Sequence, residues 1–312
     1  MGTIDLSLEP SAQQINRVAD WLARGNCRVI RPLPSRSTYS ETPPPEKLIT
    51  VAILDTETTG TNPARDKIIE LGMVLVEVCP ATGQAYRVVE VFDELEDPEM
   101  PIPEESSKIH HITDDMVAGK RIDDAAVESL IAGVSLVVAH NAGFDRVFVE
   151  QRFPSFAAKA WACSWAQIPW SAQGIGSSKL EFLAYFYGFH FTGHRASNDC
   201  LALLEVLQQP LPSSGAKAMA LLLENARVAE IKVSALGSPF DAKDALKARA
   251  YRWSADKKVW ARSIPRQALD DEVAWLRSVV YGGRPFRLEL EKMTVMNRFS
   301  GRPGLIEVVS YD

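Results

Sequence analysis

With 312 residues, of which 46% are apolar and 24% charged, the chain has the composition of a folded protein with room for two cores, which excludes the disordered and fibrous classes. No apolar run approaches the ~18 residues of a membrane span, the N-terminus lacks the basic-then-apolar pattern of a leader, and Cys27, Cys79, Cys163 and Cys200 form no C-x-x-C pair; a reduced, cytoplasmic protein without a membrane partner is expected. The net charge of −6 is unevenly spread: from Glu230 onward 15 Lys and Arg face 11 Asp and Glu, whereas the residues before it carry 19 against 29. An acidic front and a basic tail suit catalysis or metal binding in front and a polyanion grip behind, although an ordinary solvated surface gives the same count.

In chain order, residues 1–46 read as an appendage. A helix is predicted from Ser11, its N-cap, to Arg24, followed by a proline-rich extended linker over 31–47. From Leu48 the pattern is strand-rich: a strand over 48–54, then Ile68–Val78 and Tyr86–Leu95 around a hairpin turn at 81–84. Short helices are predicted at 106–111 and 114–118, and a longer one over 123–132 with acids in its first turn. The apolar run 135–139 reads as a buried parallel strand, followed by a turn, a helix over 144–152, a strand over 159–165 and helices over 178–187 and 198–208. A meander followed by strand–helix alternation indicates an α/β domain with a mixed sheet over 47–210. A connecting helix is predicted over 211–229. Residues 230–312 read as a small basic α+β domain with a strand at 231–235, a helix at 242–250, a hairpin over 251–262, a helix from Pro265 to about Tyr281 and a last strand at 286–290.

The stretch Ile53-Leu-Asp55-Thr-Glu57-Thr-Thr-Gly60 runs from a buried strand into two acids two positions apart, so both side chains leave the same face. Two carboxylates that close repel unless a cation lies between them, and a hard divalent cation takes oxygen ligands; two solvated edge acids are the alternative. Asp145 follows the strand 135–139, at the sheet end where open α/β folds place ligands. Asp199 opens a helix, and His194 lies five residues before it in a polar loop.

These residues carry a resemblance. Asp55-Thr-Glu57-Thr-Thr-Gly60, His140-Asn141-Ala-Gly-Phe144-Asp145 and His194-Arg-Ala-Ser-Asn-Asp199 occur in this order and resemble the three motifs of the DEDDh 3′–5′ exonucleases. That family includes the epsilon subunit of DNA polymerase III, exonuclease X and RNase T. Ile109-His110-His111-Ile112-Thr113 resembles the family's His-Gly-Ile-Thr segment, with His111 in place of glycine. The resemblance implies a ribonuclease H-like mixed sheet flanked by helices. It also implies two Mg²⁺ or Mn²⁺ ions held by Asp55, Glu57, Asp145 and Asp199, and His194 as general base. Thr58, Gly60, Ile109, His110, Asn141 and Phe144 would form the terminal-nucleotide pocket, and His140 is read as structural. The expected reaction releases nucleoside 5′-monophosphates from the 3′ end of DNA in repair or proofreading, beside a polymerase or repair partner. An exoribonuclease and a non-catalytic nucleic-acid-binding protein are the alternatives. In the tail, seven basic residues interleave with Tyr251, Trp253 and Trp260 between Lys243 and Arg262. The two tryptophans read as core anchors, with base stacking as the alternative, and the tail as a nucleic-acid grip.

Overall fold

The computed structural model describes residues 11–25, 27–44 and 47–312; the rest of the expected appendage, residues 1–10, 26, 45 and 46, lies outside the described residues. The apolar runs form five strands, β1 (Ile49–Thr58), β2 (Ile68–Val78), β3 (Ala85–Leu95), β4 (Leu136–Ala139) and β5 (Trp161–Cys163). They assemble into one mixed sheet in the order β3-β2-β1-β4-β5. The first three strands form an antiparallel meander, and β4 and β5 add in parallel.

Val51, Ala52, Ile53 and Leu54 are all fully buried, because helices cover both faces of the sheet and alternate side chains enter two different cores. Val51, Ile53, Val74 and Val76 pack with helices α5 (Leu180–Phe186), α6 (Ala196–Leu207) and α7 (Ala218–Arg227). Ala52, Leu54, Met73 and Leu75 pack with α3 (Asp124–Ala132) and α4 (Ala142–Arg152). Before these lie α1 (Ala12–Arg24), α2 (Glu104–His110) and a one-turn helix over Asp114–Val117.

The α1 terminus is a reciprocal cap: the Gln14 amide donates to Ser11 Oγ and the Ser11 amide to Gln14 Oε1. The proline-rich segment after it is extended, as its composition predicts, but it is tied down. The Arg31 and Leu33 amides donate to the carbonyls of Gly188 and His190. The Tyr39 amide donates to Tyr86, and Ser37 accepts from the Val88 amide, so this stretch covers part of the β3 edge. Arg36 and Glu205 form an ion pair at 2.6 Å.

The C-terminal region builds a second, fully antiparallel sheet from β6 (Glu230–Leu236), β7 (Arg252–Ser254), β8 (Val259–Pro265), β9 (Phe286–Met293) and β10 (Leu305–Tyr311), in the order β10-β9-β6-β8-β7. Helices α8 (Lys243–Ala248) and α9 (Leu269–Trp275), with a π-helical turn over Leu276–Val280, contribute to the core on one face.

The helix expected from Pro265 to about Tyr281 is present, as a 3₁₀ turn over Arg266–Ala268 capped by Pro265 that continues through Leu269–Trp275 to Val280. Three expectations change. The strand expected over 159–165 shrinks to three residues; Cys163 Sγ accepts the Ala166 amide and turns the chain into a helical turn over Ser164–Gln167. Strand β10 was not expected, since Leu305, Ile306 and Val308 are exposed and give no inward-facing alternation. Trp260 packs on the second core, but its cross-strand partner Trp253 is 51% exposed and is no core anchor.

The tail also does more than follow the first domain. The irregular stretch between β9 and β10 docks on the edge of the first sheet, where the Trp161 amide donates to the Val295 carbonyl. The buried Arg146 guanidinium donates to the carbonyls of Arg298 and Met296 and to Glu150, each at 2.6 Å. Arg298 in turn donates to the Val228 carbonyl. Arg146→Ala is expected to destabilise the protein by about 3 kcal/mol, because two carbonyls and a buried ion pair lose their partner together. Urea unfolding measures this, and proteolysis within 294–304 should accelerate. A change below about 1 kcal/mol would mean that the docking is incidental.

Candidate active site

The site grows from the pairing of β1 with β2. Asp55 stands opposite Gly72, and Glu57 opposite Glu70. A Cβ on Gly72 would lie 2.4 Å from the carbonyl carbon of Ala196. Only a glycine therefore lets the start of α6 press onto the sheet beside Asp55. Glu70 is fully buried and fixes that approach. Its Oε2 accepts the Ala196 amide at 2.9 Å, and its Oε1 accepts the Arg195 guanidinium at 2.8 Å. The carboxylate thus caps α6 at its positive end and neutralises Arg195 at once.

This approach brings Asp199, in the first turn of α6, over the end of β1. One carboxylate oxygen from each of Asp55, Glu57 and Asp199 lies within 4.8 Å of the others. Asp145, in the first turn of α4, joins these three in lining one cleft. Its Oδ1 accepts from the Thr56 amide at 3.1 Å and the Thr56 hydroxyl at 2.9 Å. A cleft of about 380 Å³ opens over these acids and is lined by all four of them, with His140, Asn141, Phe144, Trp165, Glu181 and His194 among its walls.

The electrostatics match a site built around positive charge. Burial, then Asp145, Asp199 and Glu57, hold the Asp55 carboxyl well above the usual range. Burial, then Asp199 and Glu70, push Glu57 up to about 8. Burial also raises Asp145, against the pull of the Thr56 bonds, and raises Asp199. An all-oxygen donor set that is uncomfortable as bare anions fits hard divalent cations.

His194 has a left-handed backbone, φ 61°, and its Nε2 lies 3.6 Å from Glu181. His140 bonds Ser164 Oγ and the Ser178 carbonyl, each at 2.7 Å. Since the carbonyl only accepts, Nε2 carries the proton and Nδ1 accepts from the hydroxyl. His140 therefore ties two segments of the cleft wall together.

The structure divides the expected nucleotide pocket. Asn141 and Phe144 line the cleft, Phe144 tilted against Phe148 at 5.1 Å between ring centroids. Thr58 ends β1, Gly60 lies on the turn after it and Ile109 and His110 on α2, and none of the four is among the residues that line the cleft. Thr58 Oγ1 donates to the Gly60 carbonyl, and a Cβ on Gly60 would come within 2.5 Å of the Asp66 carboxylate. Ile109 is exposed, whereas His110 is buried and accepts the Ile112 amide on Nδ1. His111 takes the left-handed C-cap of α2 at φ 59°, a position that favours glycine.

Sequence reasoning passed over Glu70, Gly72, Trp165 and Glu181. For the first two a signal existed: an acid and a glycine inside an otherwise apolar strand call for a buried partner and a close approach. Trp165 and Glu181 sit in ordinary helical contexts and gave none.

Comparison with known proteins follows the same residues. The RNase T exonuclease family matches residues 52–207. The epsilon subunit of DNA polymerase III from Treponema pallidum is 31% identical over 161 residues, covering 49% of this chain and 72% of that protein. The PolC-type DNA polymerase III of Thermotoga maritima is 31% identical over 212 residues, 65% of this chain but only 14% of the polymerase. Among solved structures, exonuclease X in complex with 5′-overhanging duplex DNA aligns with 56% of this chain and 99% of its own at 25% identity, with a TM-score of 0.41.

Two outcomes follow. A raised carboxyl pKa stabilises the fold below its ordinary value of 4.5, and that contribution is lost as pH climbs through about 8. In EDTA the melting temperature should therefore fall between about pH 4.5 and 8 and level off above it, and saturating Mn²⁺ should abolish the fall. Parallel profiles with and without Mn²⁺ would contradict a cation site. Gly72→Ala should cost about 1–3 kcal/mol through overpacking and weaken Mn²⁺ binding, read by calorimetry; unchanged affinity would show that the contact does not position Asp199.

Proposed function

The chain belongs to the DEDDh-type exonuclease family, and from that premise we propose that it hydrolyses phosphodiesters at the 3′ end of DNA, releasing nucleoside 5′-monophosphates. The observation that carries this reading is the convergence of Asp55, Glu57 and Asp199 oxygens within 4.8 Å, in a cleft whose wall includes His194. Asp55, Glu57, Asp199 and Asp145 would hold two Mg²⁺ or Mn²⁺ ions. Such ions supply positive charge to the scissile phosphate and to the leaving 3′-oxygen. The protein's own residues do the rest. His194 takes the proton from the attacking water, and its half-exposed position at the cleft mouth lets it pass that proton to solvent. Asn141 and Phe144 bound the space for the terminal nucleotide. Glu70 and Arg195 keep the His194 loop and α6 in register with β1.

DNA is favoured as substrate because the relatives above are a PolC-type DNA polymerase III and the epsilon subunit of DNA polymerase III. For the same reason proofreading or repair is the proposed setting, with a polymerase or repair protein as partner. The basic C-terminal region, residues 230–312, is proposed to grip nucleic acid.

Single-stranded DNA, duplex DNA and RNA labelled at either end, incubated with Mg²⁺ or Mn²⁺, test the reaction on one gel. Loss from the 3′ end of DNA is expected, stopped by EDTA. His194→Ala should slow it by about 10²–10⁴-fold, and Asp55→Ala at least as much, with circular dichroism unchanged. Near wild-type rates in either variant, or degradation starting from the 5′ end, would refute the assignment.

A further inference from the structure

Helix α5 starts at the acidic cleft and leads away from it. Lys179, Leu180 and Glu181 are among the residues that line the cleft. Along the helix Leu180, Leu183 and Ala184 enter the core, whereas Glu181, Phe182 and Tyr185 are exposed, as its period requires. Tyr185 lies four residues after Glu181 and three after Phe182, so the three side chains are neighbours on one outward face that begins at the cleft wall. We propose that this face carries the single-stranded segment of nucleic acid behind the terminal nucleotide, with bases on Phe182 and Tyr185 and phosphates beside Lys179 and Arg28. The proposal rests on the nuclease reading and adds a strand path to it.

Three observations carry it. The first is the pair of rings. Phe182 and Tyr185 are 38% and 52% exposed, with their centroids 6.5 Å apart and their planes tilted by 46°. A single exposed aromatic would need no explanation. Two adjoining ones on the face that enters a nuclease cleft form a sequence-tolerant stacking surface, because every base has a π-face.

The second is the position of Arg28. Its guanidinium lies 5.0 Å from the Tyr185 centroid and 5.8 Å from that of Phe186, on a segment tied to the end of α5 by the Arg31 amide, which donates to the Gly188 carbonyl. The cation thus steadies the ring and stands beside it. The third is charge. A cleft lined by five acids repels a polyanion, so the approaching strand needs positive charge near it. Lys179 at the cleft end of the row and Arg28 at the far end are both exposed, and among the described residues neither has an acidic partner. Glu181, the one acid on this face, lies 3.6 Å from His194.

The double variant Phe182→Ala/Tyr185→Ala and the single variant Arg28→Glu test the proposal, with a single strand of about 12 nucleotides and a dinucleotide as substrates, each as DNA and as RNA. In both variants the KM for the long strand should rise about tenfold while kcat and the dinucleotide KM stay unchanged. The sugar that shows the larger rise is the one the row serves. Melting curves check folding, and Arg28→Glu decides alone if the double variant does not fold. An unchanged KM for the long strand, the result expected of a face that docks a protein, overturns the row, as does an equal rise on the dinucleotide. A rise in Arg28→Glu beside a folded double variant that shows none also overturns it. Fluorescence anisotropy of the long strand in EDTA separates the two readings. Wild-type binding that both variants weaken, without cleavage of any substrate, supports the row and refutes the nuclease. Cleavage together with equal binding by all three proteins refutes the row alone, and neither cleavage nor binding by the wild type refutes both.

Discussion

Everything at the site depends on how close α6 comes to β2. At Gly72 the helix start fills the space a side chain would occupy, and Glu70 holds it there with one bond to the Ala196 amide and others to Arg195. Strand pairing converts this contact into geometry at β1, because Gly72 and Glu70 stand opposite Asp55 and Glu57. A helix displaced outward by one methyl group would take Asp199 with it. The contact is thus structural in its partners and chemical in its consequence.

The charge distribution follows from that geometry. Strand parity puts two acids on one face, the α6 contact adds a third, and Thr56 anchors Asp145 as the fourth. Removing these groups from water costs free energy that only a cation or a proton offsets, which explains why the carboxyls titrate high. A site so acidic cannot by itself attract a polyanion. The second sheet supplies basic side chains nearby, and the stretch between β9 and β10 fastens that sheet to the first through Arg146 and Arg298. The two sheets are therefore held at a fixed spacing rather than joined by a loose tether.

Much of this was legible in the sequence for physical reasons. Val51–Leu54 ran into Asp55 and Glu57 at a strand's end, and backbone parity alone placed both acids on one face. The three motifs in order pointed to a common sheet end through their resemblance to the DEDDh exonucleases. What escaped were the long-range partners. A sequence does not say which backbone will fill the gap at Gly72, nor that Arg146, inside an ordinary helix, will reach carbonyls some 150 residues away. Strand β10 escaped because its apolar residues face outward. Trp253 was misread because an aromatic in a hairpin more often packs inward than stands free.

The central claim is that four carboxylates converge to hold two cations. Anomalous diffraction from crystals soaked in Mn²⁺ tests it most directly. The account predicts two peaks at the end of β1, bounded by Asp55, Glu57, Asp145 and Asp199 and separated by about 3.5–4 Å. A map with no anomalous peak among these residues at saturating Mn²⁺ would contradict it.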